Sequence, residues 1–149
     1  MKLYKSNVPE LYLGRKKSDA IKVKITSSKD SADFFRKVWD EDTIEYCESA
    51  IVMYLNRANN TIGYYKVSQG GLSSTVIDIR MVLGAALKCG ASSIIIAHNH
   101  PSGQMNPSED DKNITKKLKD GCAILDIRLL DHCILTENSF YSFADEGIL

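Results

Sequence analysis

The chain has 149 residues, of which 44% are hydrophobic and 26% charged, the profile of one soluble globular domain with room for a single sizeable core. Nineteen Lys and Arg balance nineteen Asp and Glu, so no net charge draws it to nucleic acid or to an anionic membrane. No run approaches the roughly 20 apolar residues that span a bilayer, and charges interrupt the first 24 residues too often for an export signal. Cys47, Cys89, Cys122 and Cys133 form no Cys-x-x-Cys pair and read as reduced, mostly buried thiols, so the expected compartment is the cytoplasm.

Residues 1–20 are weakly patterned and are expected to form an arm or a strand needing a partner surface. Ile21-Lys22-Val23-Lys24-Ile25 alternates apolar and basic residues, the pattern of a half-exposed strand. Ser27 or Ser28 then caps a helix whose apolar stripe is Ala32, Phe34, Phe35, Val38 and Trp39, a core stripe rather than a base-stacking platform. The apolar run Ala50 to Leu55, the Asn-rich stretch 56–60 and Thr61 to Val67 together predict a hairpin, which Gly70-Gly71 ends.

Ile77 to Cys89 reads as a helix with Ile79, Val82, Leu83 and Ala86 on one side and Gly90 closing it. Ser93 to Ala97 is a short, wholly apolar strand, expected in the middle of a sheet and covered on both faces. Asn106 and Pro107 suggest the start of a further helix, with Ile114, Leu118 and Cys122 pointing inward and Lys116, Lys117 and Lys119 on a solvated face. Ile127 to Leu135 and Phe140 to Phe143 complete the strands. Interleaved in this way, the elements predict an α/β chain of α+β type, a mixed sheet flanked by helices.

The chemistry concentrates at the C-terminal end of the apolar strand, where open α/β sheets commonly carry their sites. His98 and His100 lie two apart and face the same side of a strand end, while Asn99 turns away. Pro101-Ser102-Gly103 turns the chain back, with Gly103 expected to let the backbone pass close to the site. The following helix can then offer Asp111 to the two imidazoles. Two neutral nitrogens and one carboxylate suit zinc, with the fourth position left for water, which is the design of a catalytic metal site.

Ser108 shares a helical face with Asp111 and could donate to a developing oxyanion, although Ser-x-x-Asp is also a helix-capping box. A carboxylate must take the proton of the attacking water. Glu48, heading the apolar strand, is the better candidate and Glu45 its rival. His132 reads as a hydrogen-bonded structural histidine, since a fourth ligand would close the site, and Asp131 as a carboxylate able to orient a ring. Arg80, Asn99 and Ser102 are candidates for lining the pocket.

Glu48, His98-x-His100 and Ser108-x-x-Asp111 together resemble the JAMM motif of the JAB1/MPN zinc metallopeptidases. The strings Ala97-His98-Asn99-His100-Pro101-Ser102-Gly103, Pro107-Ser108 and Asp126 to His132 narrow the resemblance to the JAB domain of the bacterial RadC family, over about residues 30–149. The resemblance implies a JAB1/MPN-like, cytidine-deaminase-like three-layer architecture, with an arm over residues 1–28 and the domain over 29–149. It implies one zinc ion held by His98, His100 and Asp111, Glu48 as general acid/base and Ser108 as stabiliser of the tetrahedral intermediate.

Long family members carry a helix-hairpin-helix segment that has no counterpart in residues 1–30, and Ile79-Arg80-Met81 stands where the family often has Pro-Arg-Glu. The implied activity is cleavage of a peptide or isopeptide bond in a protein or peptide substrate. The family's DNA-repair label and the contiguous His-Asn-His spelling suggest a DNA-binding or nuclease module instead. HNH nucleases spread those residues through a ββα unit, and the zero net charge disfavours nonspecific DNA binding. The third reading is a non-catalytic interaction domain that uses zinc only to hold a loop.

Overall fold

A computed structural model describes residues 7–16, 22–70 and 77–149. Residue 21 of the expected first strand, Gly71 and parts of the expected arm lie outside those described residues. Residues 7–16 are exposed and form no helix or strand. The segment after residue 21 corrects the strand reading. Only Lys24 makes a bridge, to Asn60, flanked by hydrogen bonds from Ile25 N to Asn59 O and from Thr61 N to Val23 O. The alternation is real, since Val23 and Ile25 reach the core, but the chain must enter a helix three residues after Ile25 and has no length left for a ladder.

That helix, α1 (Ser28–Val38), begins where the Ser27 side chain accepts the Asp30 N–H, and it buries Ala32 and Phe35, with Trp39 buried at its end. Strands β1 (Ser49–Leu55) and β2 (Thr61–Gln69) form the expected hairpin. Its turn is held by Asn56 Oδ1, which accepts from the N–H groups of Ala58 and Asn60, while Asn59 takes the left-handed conformation asparagine tolerates. Helix α2 (Ile79–Cys89) is capped by Asp78 and closed by Gly90 at φ 69°. Strand β3 (Ser93–Asn99) is buried along its whole length.

Helix α3 (Glu109–Ile124) starts one residue after the Ser108 cap, which displaces the expected Asn106–Pro107 start. Ser108 and Asp111 satisfy each other's backbone N–H groups, and that reciprocal cap sets the start of the helix. Strands β4 (Arg128–Leu135) and β5 (Phe140–Ser142) complete the chain.

The five strands run in the order β2-β1-β3-β4-β5, with β3 in the middle. Strand β3 is antiparallel to β1 and parallel to β4, the β3–β4 connection passing through α3. Alternation divides the sheet into two apolar faces. Ile51, Met53, Leu55, Ile95 and Ala97 pack with α1, whereas Val52, Tyr54, Ile94 and Ile96 pack with α2 and α3. The result is three layers, helix on sheet on helices, as a JAB/MPN-like fold requires. Among the described residues, no helix is long and apolar enough to cross a membrane.

Candidate metal centre

Strand phase decides which side chains meet at the end of β3. Ile94 and Ile96 face α2 and α3, so His98 does too, and Asn99 turns to the α1 side. His100 stands one residue past the strand, its N–H bonded to Leu135 O, and so continues the pairing of β3 with β4. The chain then reverses as Gly103 N donates to His100 O, with Gly103 at φ 82°. A side chain at Gly103 would meet open space. The glycine therefore serves the left-handed turn, not the expected close approach to the site.

The reversal delivers two contacts. Gln104 O accepts from His100 Nδ1 at 2.7 Å, so the neutral His100 ring carries its lone pair on Nε2. The N-terminus of α3 brings Asp111, whose Oδ1 lies 3.3 Å from His98 Nε2 and whose Oδ2 lies 3.2 Å from His100 Nε2. The two Nε2 atoms are 3.0 Å apart. His98, His100 and Asp111 form a group that could hold a metal ion, with their ligand atoms within 4.8 Å of one another. The Ser108 N–H donates to Asp111 Oδ2 at 2.8 Å and fixes the carboxylate.

The charges agree with this geometry. Burial works to raise the Asp111 pKa, but the imidazoles of His100 and His98, which donate to the carboxylate from Nε2 when they carry the extra proton, outweigh it and carry the carboxyl well below the usual carboxylate range. The hydrogen bond to Asp111 holds the His100 ring above its ordinary value against partial burial, with Gln104 O and the charges of Asp111 and Glu48 adding to the effect.

Glu48 is half-buried and immediately precedes β1. The β1–β3 ladder pairs Ala50 with His98 at its end, two residues from Glu48, and the charge of Glu48 acts on His100. Glu48 is anchored by its own carbonyl, which accepts from Gly70 N at 2.7 Å. Glu45 is exposed and hydrogen-bonds with Glu137, which raises its pKa. Ser108 is exposed at the rim, its oxygen accepting from Asp111 N at 3.0 Å.

Asn99, an expected pocket-lining residue, instead faces the opposite side, where its Nδ2 donates to Ile44 O and Cys47 O and its Oδ1 accepts from Ser49 N. The Arg80 guanidinium is exposed and paired with Asp78, its own helix cap. Ser102 is exposed on the turn.

His132 does not join the ligand atoms; its Nε2 lies 2.7 Å from His98 Nδ1. Asp131 orients no ring, contrary to expectation. Its carboxylate accepts from His132 N, Ala144 N and the Ser142 hydroxyl, tying β4 to β5. The ring partner is Thr115, whose Oγ1 lies 2.6 Å from His132 Nδ1. Thr115 was not among the residues singled out from sequence. It lies four residues after Asp111 and three before Leu118, on the inward stripe of α3, and a polar residue there is the signal that marks it.

The fold and the site define a three-layer α/β domain with an imidazole–imidazole–carboxylate group at the end of its middle strand. The chain belongs to the RadC-like JAB domain family, whose family model matches residues 25–148. It is similar to the UPF0758 protein of Flavobacterium johnsoniae, 44% identical over 146 residues that cover 96% of this chain and 62% of that protein. The UPF0758 protein of Aquifex aeolicus is 36% identical over 135 residues, 91% of this chain and 57% of its own. That of Clostridium perfringens is 40% identical over 140 residues, 94% of this chain and 60% of its own. The chain thus spans about three fifths of the length of these relatives.

Proposed function

We propose that the domain is a zinc-dependent hydrolase of peptide or isopeptide bonds. The observation that carries this reading is the meeting of two imidazole nitrogens and one carboxylate at the end of β3; the charge of Glu48, which acts on His100, supports it.

The donor set fits zinc. Bonds of about 2.0–2.1 Å in a tetrahedral site separate neighbouring donors by about 3.3 Å. The two Nε2 atoms, 3.0 Å apart, lie near that spacing, and each ring has one Asp111 oxygen at 3.2–3.3 Å, Oδ2 for His100 and Oδ1 for His98. His98, His100 and Asp111 would hold the zinc, which would supply Lewis acidity and a water made nucleophilic near neutral pH.

The remaining steps fall to side chains of the domain. Glu48 takes a proton from the attacking water and returns it to the departing amine. Ser108 keeps its hydroxyl proton, because capping uses its oxygen only as an acceptor; that proton points to the carbonyl oxygen as it gains charge. Asp111, held by Ser108 N–H, keeps its carboxylate ionised beside the two rings. The substrate is a protein or peptide. The expected compartment is the cytoplasm, where the four free thiols stay reduced.

The test is Glu48→Gln, assayed with the native chain on peptide and isopeptide-linked substrates at equal zinc loading. Native turnover with an inactive variant supports the reading. Equal turnover in both removes Glu48 from the chemistry, and zinc binding without native turnover on either substrate class favours a non-catalytic zinc-binding domain.

A further inference from the structure

His98 reaches the metal centre with Nε2 and a second histidine with Nδ1, and a chain of hydrogen bonds leads from Nδ1 back to where it began. His98 Nδ1 lies 2.7 Å from His132 Nε2. His132 Nδ1 lies 2.6 Å from Thr115 Oγ1. That hydroxyl lies 2.6 Å from the backbone carbonyl of Asp111, one helical turn earlier. The carboxylate of the same Asp111 faces His98 Nε2 at 3.3 Å.

The proton inventory gives this circuit a direction. A carbonyl oxygen only accepts, so the single hydroxyl proton of Thr115 is committed to Asp111 O. Thr115 Oγ1 therefore meets His132 Nδ1 as an acceptor, and Nδ1 carries a proton. The His132 ring is 1% exposed and stacked on Phe143 with ring centroids 4.7 Å apart, a setting that disfavours a charged imidazolium. Its Nε2 is consequently bare, and a bare nitrogen 2.7 Å from His98 Nδ1 requires a proton on Nδ1. The His98 lone pair is left on Nε2, the atom that faces Asp111 and His100.

We propose that Thr115 and His132 are positioning residues that lock His98 in its Nδ1–H tautomer and thereby make Nε2 available to a metal ion. Neither residue is a ligand. This inference rests on the metal-binding reading above and adds that a hydroxyl on α3, two hydrogen bonds from the ring of His98, sets the strength of the site. His100 needs no such device, because Gln104 O fixes its tautomer directly.

Thr115→Val removes the acceptor while keeping the shape. His132 is then free to turn its proton toward His98, which forces the His98 proton onto Nε2 and blocks that ligand. Thr115→Ser keeps the acceptor and serves as the conservative control.

The experiment is two-bond ¹H–¹⁵N correlation of the histidine rings at mildly alkaline pH, zinc-free and zinc-loaded, together with zinc affinity by chelator competition. The native chain and Thr115→Ser are expected to show His98 protonated at Nδ1 even without zinc. Thr115→Val is expected to populate the Nε2–H form and to bind zinc about 10- to 100-fold more weakly, the usual loss when a histidine ligand's outer partner is removed. A zinc-free native chain with His98 protonated at Nε2, or native zinc affinity in Thr115→Val, overturns the proposal. If the native chain binds no zinc, the metal reading fails by itself, and the zinc-free tautomer still decides the relay. That same native measurement decides it if Thr115→Val does not fold.

Discussion

The side chain of Asn99 grips the backbone on both sides of Glu48, donating from Nδ2 to Cys47 O at 2.9 Å and accepting from Ser49 N at 2.7 Å. A second Nδ2 bond, to Ile44 O at 2.7 Å, draws in the loop that precedes β1. The residue between the two imidazoles thus faces away from them and holds the carboxylate expected to work beside them. Asn99 is fully buried, so these bonds are not in competition with water.

Replacing Asn99 by Ala leaves one N–H and two carbonyls of the backbone without their partner. With each unpaired buried group costing about 1–3 kcal/mol, the expected loss is on the order of 3 kcal/mol. Urea unfolding measures it. Zinc content is expected to stay at the native level while turnover falls, because the ligands lie on the other face of β3 and only Glu48 loses its anchor. A native denaturation midpoint would contradict this role.

Ser108→Ala tests two functions of one hydroxyl. Loss of the cap is expected to cost about 1 kcal/mol. The Ser108 N–H remains to hold Asp111 Oδ2, so zinc binding is expected to change little. If Ser108 serves the developing oxyanion, kcat falls about a hundredfold or more at equal zinc content. A variant with reduced stability and unchanged kcat would leave Ser108 as a cap alone.

Asp131 gives a pH dependence of definite sign. Burial raises its carboxyl above the ordinary 3.8, against hydrogen bonds from Ser142, Ala144, His132 and Cys133. The folded chain then binds this proton more tightly than the unfolded chain does. Its contribution to stability is greatest at acid pH and falls as pH rises from the unfolded value through the folded one. Asp131→Asn keeps an acceptor for the two N–H groups and abolishes the titration. Comparing urea midpoints at about pH 4 and about pH 7, the variant is expected to gain relative to the native chain on going to the higher pH. An identical pH difference in the two chains would contradict the assignment.

Cys89, Cys122 and Cys133 are expected to react in an order set by burial. Burial pushes the Cys122 thiol up to about 11 and the buried Cys133 thiol well above its ordinary value, while Cys89 is only half-buried. In a native chain a thiol reagent modifies Cys89 first, and Cys122 and Cys133 only on unfolding. Mass mapping of the labelled peptides checks the order.

The parts of the site that could be read from sequence are those set by local geometry. His98 and His100 converge through a two-residue strand period, and Ser108 and Asp111 through a single helical turn, so spacing alone places them. Central β3 was legible because its apolar run Ile94 to Ala97 has to be covered on both faces.

His132 was harder to place. Simple alternation from Leu129 sets it on the opposite face, but the β3–β4 register shifts between Ile94 and Ile95, and the irregularity turns His132 toward α3 and His98. The partners of Asn99 lie 50 to 55 residues upstream, beyond the reach of any local pattern. The alternation of residues 21–25 was legible, yet alternation reports only which side chains face the core, not whether a neighbouring strand is there to pair.

Metal content per chain is the most direct measurement, made by elemental analysis on the native protein and on His100→Ala after loading with zinc and removal of the excess. The account predicts about one zinc in the native chain, as three protein ligands with one open position require, and none in the variant. A native chain that retains no zinc, or a variant that retains as much as the native chain, would contradict it.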